Sequence, residues 1–251
     1  MVYFVGAGPG AVDLITVRGC EILKKADLVI YAGSLVNPEL LEYTKPDCKI
    51  FNSASMTLEE VIEVLVREHD KDKVFVRLHT GDSSIYGAIR EQMDILDEYN
   101  IKYCVVPGVS SFCGAAAALN VEYTLPKVSQ TVILSRMEGR TSVPPDEEIS
   151  KLASHKASMV LFLTSSMIEE LSKKLILGGY LFETPAAIVY KATWPDQKII
   201  HTIVGNLHKS AVKNNITKMS LILVGDFLSC EYERSKLYNG NFTHKFRKAK
   251  N

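Results

Sequence analysis

The sequence predicts an α/β fold of two α/β domains, the first with a parallel sheet and the second with a mixed sheet. In the first half, short apolar strands alternate with amphipathic helices, which is typical of parallel strands joined by crossovers. The alternation breaks at residues 120–127, around Pro126. Predicted strands at 186–190 and 198–204 lie too close for a helical crossover, so we expect them to be antiparallel. We therefore predict domains at 1–120 and 128–230 and a polar basic tail at 231–251, solvated or disordered.

The elements of the first domain follow from apolar runs and capping signals. Thr57 and Glu60 form a capping box before one helix, and Pro38 suits the first turn of another. Ile85, Ile89 and Met93 fall near helical spacing, so we expect a helix from there to about residue 99. Strands are predicted at residues 1–5, 28–31, 49–51, 74–80 and 103–106, with helices at 16–25, 38–43, 57–68, 85–99 and up to about 119.

In the second domain we predict strands at residues 131–134, 159–163, 186–190, 198–204 and 221–224, and helices at 146–153 and 167–177. Gly178 and Gly179 suit a C-terminal cap for the second of these helices.

Composition and charge exclude several classes of protein. The 29 basic and 29 acidic side chains balance, whereas a dedicated nucleic-acid binder usually has a basic excess. The five cysteines are odd in number and lack CxxC spacing, which favours neither a zinc site nor a disulfide framework and suits a reducing cytoplasm. No signal peptide or membrane-spanning run is visible. We expect a soluble, cytoplasmic protein without a bound metal.

The stretch at residues 74–87 combines a buried strand with a polar turn. Gly81 lets the backbone lie close to a ligand, and Asp82, Ser83 and Ser84 are candidate helix caps. Ligands of open parallel sheets collect where strand ends meet helix starts. A capped turn without a ligand is the alternative interpretation.

The glycine loop after the first strand invites comparison with dinucleotide-binding sites. Gly6, Gly8 and Gly10 are followed by Ala11, a tolerated replacement for the last glycine of that fingerprint. However, Pro9 has no N–H to offer a phosphate. The second strand ends at residues 32–34 without an acid for a ribose hydroxyl. An NAD-dependent oxidoreductase is therefore the disfavoured alternative.

Six motifs follow one another along the chain. They are Gly6-Ala7-Gly8-Pro9-Gly10 with Asp13-Leu14-Ile15-Thr16 and Arg18-Gly19; Tyr31-Ala32-Gly33-Ser34-Leu35-Val36; Gly81-Asp82-Ser83 with Tyr86-Gly87; Val106-Pro107-Gly108-Val109-Ser110-Ser111; Ser135-Arg136-Met137-Glu138-Gly139-Arg140-Thr141; and Val189-Tyr190-Lys191-Ala192-Thr193-Trp194-Pro195-Asp196. Together they resemble the tetrapyrrole (precorrin) methyltransferase family over nearly the whole chain, to about residue 233. The second, fifth and sixth narrow the resemblance to its precorrin-4 carbon-11 members, of either the cobalt-containing or the metal-free branch of cobalamin synthesis.

The resemblance implies S-adenosylmethionine bound between two α/β domains in a homodimer. It implies methyl transfer to carbon 11 of the ring, with methylation of another ring carbon as the nearest alternative. By position, the implied contacts to the methyl donor are Pro9, Gly81, Asp82, Ser83, Tyr86, Ser110, Ser111, Leu163 and Ala192.

The chain departs from the family pattern at two positions. Ser83 replaces the common proline of the Gly-Asp-Pro motif, and Ala32 stands where relatives that methylate uroporphyrinogen carry an acid. We therefore assign no catalytic residue. A tetrapyrrole carries many carboxylates, so Arg136, Arg140 and Lys191 are candidate substrate contacts, because basic side chains pair with carboxylates. Ordinary surface charge is the alternative interpretation of these three.

Overall fold

The structure is a computed structural model that describes residues 1–33 and 35–249. Ser34, part of a motif quoted above, and residues 250–251 of the basic tail lie outside the described residues. The chain divides into two compact units, Met1–Ala115 with Lys191–Gln197 and Ala116–Tyr190 with Lys198–Asn251. The domain limits 1–120 and 128–230 stay predictions.

A five-stranded parallel sheet organises the first unit. Its strands are β1 (Val2–Gly6), β2 (Leu28–Tyr31), β3 (Lys49–Asn52), β4 (Phe75–His79) and β5 (Tyr103–Val106), in the order β3-β2-β4-β1-β5. The helices are α1 (Val17–Leu23), α2 (Leu58–Arg67), α3 (Arg90–Glu98) and α4 (Ser111–Leu119), the last of which continues into the second unit. All the neighbouring strands are parallel, which confirms the prediction from β–α alternation.

Both faces of this sheet are apolar, which explains the continuous hydrophobic runs of its strands. Phe75 of β4 joins a buried cluster with Leu65 of α2 and Leu96 of α3. Val76, the next residue, joins a separate cluster with Leu23 of α1. Each such fully buried side chain contributes about 1.5–3 kcal/mol relative to an exposed one. The central strands are thereby held firmly enough to fix the loops that leave their carboxyl ends.

Two local signals for helix starts in the sequence are confirmed. Thr57 caps α2, and the side chain of Glu60 accepts a hydrogen bond from the N–H of Thr57 at 2.7 Å. Pro38 begins a 3₁₀ helix at Pro38–Tyr43.

The predicted start of α3 is wrong. The helix begins at Arg90, and the residues between β4 and α3 form turns instead. Tyr86 and Ala88 have φ angles of 55° and 48°, which an α-helix excludes. The N-cap of α3 is Ile89, without a side-chain cap, so none of the three predicted candidates caps this helix. Apolar residues at helical spacing continued through a segment whose backbone is not helical.

A mixed five-stranded sheet organises the second unit. Its strands are β6 (Val132–Arg136), β7 (Ser158–Phe162), β8 (Pro185–Tyr190), β9 (Lys198–Ile203) and β10 (Ser220–Val224), in the order β6-β7-β10-β8-β9. The helices are α5 (Ile149–Ala153), α6 (Ile168–Leu177) and α7 (Leu207–Lys213). Only β6 and β7 pair in parallel; β8 and β9 are antiparallel, as their short connection predicted.

Three details of the second unit complete the comparison with the sequence. Gly179, just after α6, has a φ of 114°, as expected of a helix-ending glycine. The short helix α7 was not predicted. In the tail, Lys236–Tyr238 forms a 3₁₀ turn, and Arg247 donates to the carbonyl of Leu237 at 2.6 Å.

Among the described residues, no helix has the length and apolar character needed to cross a membrane.

Candidate functional site

Three loops meet at the carboxyl edge of the first sheet, because β4, β1 and β5 are adjacent and parallel. Two of these loops, after β1 and β4, are joined by a reciprocal pair of backbone hydrogen bonds. Gly8 donates to the carbonyl of Gly81 at 3.2 Å, and Gly81 donates to that of Gly8 at 2.8 Å. The glycine motif after β1 and the glycine motif after β4 are therefore one structural feature.

The backbone at this edge is packed too tightly for side chains. A Cβ on Gly6 would lie 2.6 Å from the Cα of Gly108, and one on Gly108 would lie 2.2 Å from the carbonyl oxygen of Gly81. Gly81 itself has a φ of 60°, in the left-handed region that favours glycine. Its Cβ position faces the backbone of Ser110 and Ser111 at 3.4–3.9 Å. The loops after β1, β4 and β5 therefore form one junction, built on Gly6, Gly81 and Gly108.

Asp82 ties this glycine junction together through its carboxylate. Oδ2 accepts from the N–H of Gly108 at 2.8 Å, and Oδ1 accepts from the N–H of Ser84 at 2.9 Å and from its hydroxyl. Burial by itself would raise the pKa of Asp82, but these hydrogen bonds lower it below its ordinary value. The carboxylate is ionised at neutral pH and fully engaged in holding two loops.

The segment after Asp82 carries strained backbone and an unsatisfied hydroxyl. Ser83 is fully buried, and its Oγ has no hydrogen-bond partner among the described residues. A Cβ on Gly87 would lie 2.1 Å from the carbonyl oxygen of Ser83, so the chain can turn here only with glycine. Non-glycine residues at positive φ, such as Tyr86, cost of order 1–3 kcal/mol and concentrate at ligand sites.

The loop 191–197, which joins β8 to β9, packs on the glycine loop after β1. Thr193 Oγ1 accepts from the N–H of Ala11 at 3.0 Å. Trp194 Nε1 donates to the carbonyl of Pro9 at 3.2 Å, and its ring covers Gly10, where a Cβ would lie 2.1 Å from the indole. These contacts join residues more than 180 positions apart and explain why the loop belongs to the first unit.

The structure places most of the predicted donor-binding residues on these loops of the first unit. Eight lie there: Pro9, Gly81, Asp82, Ser83, Tyr86, Ser110, Ser111 and Ala192. Gly81 joins both other loops directly, since it bonds to Gly8 and lies against Ser110 and Ser111. The ninth, Leu163, follows β7 in the second unit, with a φ of 53° and a side chain 60% exposed. That combination is unusual for leucine and resembles the strain at Tyr86.

The three candidate substrate contacts differ in what they touch. Arg136 donates to the carbonyls of Met137, Thr141 and Ser142 at 3.2, 3.2 and 2.8 Å, so its guanidinium orders the loop that follows β6. Arg140 lies exposed on that loop. Lys191, in the first unit, pairs with Asp196 at 2.6 Å and lies 5.3 Å from the centre of the Trp194 ring.

Two features of the first unit went unrecognised in the sequence. The contacts of Trp194 needed knowledge of which distant loop it meets, although a lone tryptophan beside Pro195 was a signal. Arg77, in the middle of the apolar strand β4, is 4% exposed and could have been noticed as a charge in a buried run. Within the described ranges, no cluster of His, Cys, Asp and Glu is arranged to hold a metal ion.

Comparison with known proteins identifies the family. The family model "Tetrapyrrole (Corrin/Porphyrin) Methylases" matches residues 1–208. The chain belongs to the tetrapyrrole methylase family. It is therefore a methyltransferase, and both the recognised family and the predicted fold class are confirmed.

Individual members of the tetrapyrrole methylase family match the chain over nearly its full length. A cobalt-precorrin-4 C(11)-methyltransferase of Methanocaldococcus jannaschii is 51% identical over 99% of this chain and 96% of its own. A precorrin-4 C(11)-methyltransferase of Pseudomonas aeruginosa is 39% identical, with 98% of each chain covered. The X-ray structure of a cobalt precorrin-4 methyltransferase, CbiF, superposes with a TM-score of 0.89 at 44% identity, covering 91% of this chain and 96% of the other.

We expect Asp82→Asn to lower the free energy of unfolding by about 1–3 kcal/mol at pH 7, because the uncharged amide keeps only one acceptor oxygen and sets its NH₂ against a loop N–H. The folded-state pKa of Asp82 lies below its ordinary 3.8, so the stabilisation is present above pH 3.8 and disappears as the pH falls through the lower folded value. The difference in the free energy of unfolding between wild type and Asp82→Asn should therefore become smaller below about pH 4. Denaturant unfolding at a series of pH values measures this difference.

Asp72→Asn is the matched control, since Asp72 is exposed in the same unit. A stability difference for Asp82→Asn that stays constant from pH 7 to pH 2 would show that the carboxylate charge does not hold the loops together.

Proposed function

We propose that the protein transfers a methyl group from S-adenosylmethionine to carbon 11 of cobalt-precorrin-4 or precorrin-4. The observation that carries the donor assignment is the glycine junction at Gly6, Gly81 and Gly108. It leaves backbone groups and short side chains, rather than bulky ones, at the carboxyl edge of the sheet. The ring substrate and the target carbon are inferred from the names of the relatives from M. jannaschii and P. aeruginosa.

Two features fit a sulfonium nucleoside at this edge. The buried Ser83 hydroxyl has an unused hydrogen-bonding capacity that a polar ligand could satisfy. Gly81 presents backbone without a side chain, so a ligand can approach closely. We propose that the donor is held by Pro9, Gly81, Asp82, Ser83, Tyr86, Ser110, Ser111, Leu163 and Ala192.

The chemistry assigned to these residues is mainly positional. When bound, S-adenosylmethionine would supply an activated methyl group to the ring carbon, and the electron pair of the broken carbon–sulfur bond would stay on sulfur in S-adenosylhomocysteine. Proximity and orientation alone can lower such a barrier by roughly 7–11 kcal/mol. Asp82 contributes by holding the loops, since its carboxylate is already occupied by Gly108 and Ser84. A rigid set of loops is what positional catalysis requires.

Product analysis tests the target carbon. The protein is incubated with S-adenosylmethionine labelled with ¹³C in its methyl group and with either cobalt-precorrin-4 or precorrin-4. We expect label at carbon 11, seen by carbon NMR, and one added methyl by mass spectrometry. Label at another ring carbon would overturn the assignment. The rates with the two substrates decide between the cobalt and metal-free forms; the higher identity to the cobalt-precorrin-4 relative favours the cobalt form.

We expect the protein to bind S-adenosylhomocysteine and Gly81→Val to lose that binding. A β-branched residue is strained at the φ of 60° found here and fills the space that the glycine leaves open. Titration calorimetry measures the affinity. Trp194, the only tryptophan, touches Pro9 and offers a fluorescence signal for the same titration.

Gly240→Val is the control for Gly81→Val, because nothing lies within 4 Å of a Cβ at Gly240. Equal affinities for wild type and Gly81→Val would remove this loop from the donor site. Binding of NAD in place of S-adenosylhomocysteine would favour the oxidoreductase alternative.

For the substrate, we propose that Arg140 meets a ring carboxylate while Arg136 orders the loop that carries it. Lys191 is proposed as a further contact, which would exchange Asp196 for a substrate carboxylate. A charge-assisted hydrogen bond contributes about 1.5–3 kcal/mol, so Arg140→Ala should lower kcat/KM for the tetrapyrrole by roughly one to two decades. S-adenosylhomocysteine affinity should stay nearly unchanged, and Arg140→Glu should lower kcat/KM further, because it adds repulsion.

Arg67→Ala serves as the control for Arg140→Ala, since Arg67 is a 57% exposed arginine on α2. Normal turnover by Arg140→Ala would make Arg140 ordinary surface charge. A loss of S-adenosylhomocysteine affinity instead would place Arg140 at the donor.

We also propose that the protein is a cytoplasmic homodimer. The dimer follows from the family resemblance, and the location is supported by five cysteines that are all free thiols. Light scattering at micromolar concentration should give twice the chain mass of 27.9 kDa. A monomer mass under those conditions would contradict the dimer.

A further inference from the structure

A buried arginine lies directly behind the polar turn that follows β4. Arg77 is 4% exposed, and no carboxylate pairs with it in the ranges 1–33 and 35–249. Its Nε donates to Gln92 at 2.9 Å, and its Nη1 donates to the carbonyl of Ile30 at 2.9 Å and to Ser53 at 3.4 Å. Burial lowers the pKa of Arg77 to about 10, so it stays charged at neutral pH. Burying a charge without an ionic partner costs free energy, so the position of Arg77 needs a physical explanation.

The contacts of Arg77 suggest that its role is to orient the side-chain amide of Gln92. This residue lies on α3 and is 5% exposed. Its Oε1 accepts from Arg77, and its Nε2 donates to the carbonyl of Ala88 at 2.9 Å. A guanidinium has only donors, so the amide must turn its oxygen toward Arg77. The amide NH₂ is thereby directed at the carbonyl of Ala88. The opposite orientation of the amide would set its NH₂ against the Arg77 guanidinium and its oxygen against the Ala88 carbonyl.

The carbonyl of Ala88 belongs to a segment that needs such an anchor. Ala88 and Tyr86 both have positive φ angles, and Gly87 is in close contact with the Ser83 backbone. The helix that follows has no side-chain cap at Ile89. A hydrogen bond from a buried, orientation-fixed amide therefore holds the strained segment where local preferences do not.

We propose that Arg77 and Gln92 are positioning residues of the methyl-donor site: Arg77 fixes the Gln92 amide, and Gln92 holds the strained residues 83–89 in their donor-binding conformation. This inference rests on the proposed function, because Ser83 and Tyr86 of that segment are proposed donor contacts. It assigns a binding-site role to a buried charge outside the proposed donor and substrate contacts.

Gln92→Glu separates loop positioning from core stability. The carboxylate keeps an acceptor for Arg77, and the two form an ion pair. It cannot donate to Ala88, and its second oxygen faces the Ala88 carbonyl instead. We expect a melting temperature close to that of wild type and S-adenosylhomocysteine affinity about tenfold weaker, a change of about 1.4 kcal/mol. The KM for the methyl donor should rise, with the KM for the tetrapyrrole unchanged.

Gln130→Glu is the matched control, since Gln130 also donates from its amide to backbone carbonyls, those of Thr124 and Ser129, but in the second unit. Adding Ala88→Gly to Gln92→Glu should restore part of the affinity, because glycine adopts a φ near 48° without strain. A merely structural role for Gln92 would not produce this rescue.

Amide hydrogen exchange of the free protein tests the anchoring without any ligand. We expect faster exchange across residues 83–89 in Gln92→Glu and not in Gln130→Glu. Unchanged exchange, or unchanged S-adenosylhomocysteine affinity, would overturn the inference, as would a parallel loss of melting temperature and affinity that Ala88→Gly does not relieve. Faster exchange in a protein whose wild type binds no S-adenosylhomocysteine would instead refute the proposed function and, with it, the donor-site role.

Discussion

The close approach of three backbone segments at Gly6, Gly81 and Gly108 is the constraint on which the rest of the first unit depends. Close contacts, as short as 2.2 Å from a would-be Cβ, exclude side chains at Gly6 and Gly108, and the φ of 60° at Gly81 favours glycine there. Strands β4, β1 and β5 therefore end side by side on three glycines. The buried clusters on both faces of the sheet hold the strands that deliver these glycines. The packing of the sheet and the geometry of its loops therefore depend on each other.

The polar contacts around the glycine junction follow from this crowding. With side chains excluded from the junction itself, its loops are held by backbone bonds, by the Asp82 carboxylate and by the two residues of loop 191–197 that reach Pro9 and Ala11. Each contact fixes the loops without adding a reactive group. That arrangement suits a reaction whose donor is already activated, since the protein then contributes mainly geometry.

Sequence reasoning succeeded where local signals and structure agree. The strands β2 and β5, the capping box at Thr57 and the antiparallel pair β8 and β9 all depend on neighbouring residues or on connection length, which a sequence displays. It failed at the start of α3 because Ile85 and Ile89 continue an apolar spacing through residues whose backbone turns, with positive φ at Tyr86 and Ala88. A Cβ on Gly87 would lie 2.1 Å from the carbonyl oxygen of Ser83, so this turn needs glycine, and the apolar spacing gave no sign of it.

The candidate site shows the same division. Motifs located the glycines and serines, since their positions along the chain are sufficient. The bracing of Pro9 by Trp194 could not be predicted, because it joins loops that the chain separates by most of its length. Nor could the inward turn of Arg136 onto its own loop be predicted, since a basic residue after a strand looks the same whether it faces a ligand or backbone carbonyls.

Several residues proposed as contacts have a strained backbone that the surrounding structure must stabilise. Tyr86, Leu163 and Lys191, each named as a contact from the sequence, all have positive φ, a conformation that is uncommon for such side chains. Local preference opposes these conformations by about 1–3 kcal/mol each, so the surrounding structure must impose them. In the first unit, hydrogen bonds next to such residues include that of Gln92 to Ala88 and that of Thr193 to Ala11. Side chains outside the proposed ligand contacts thus help to shape the site.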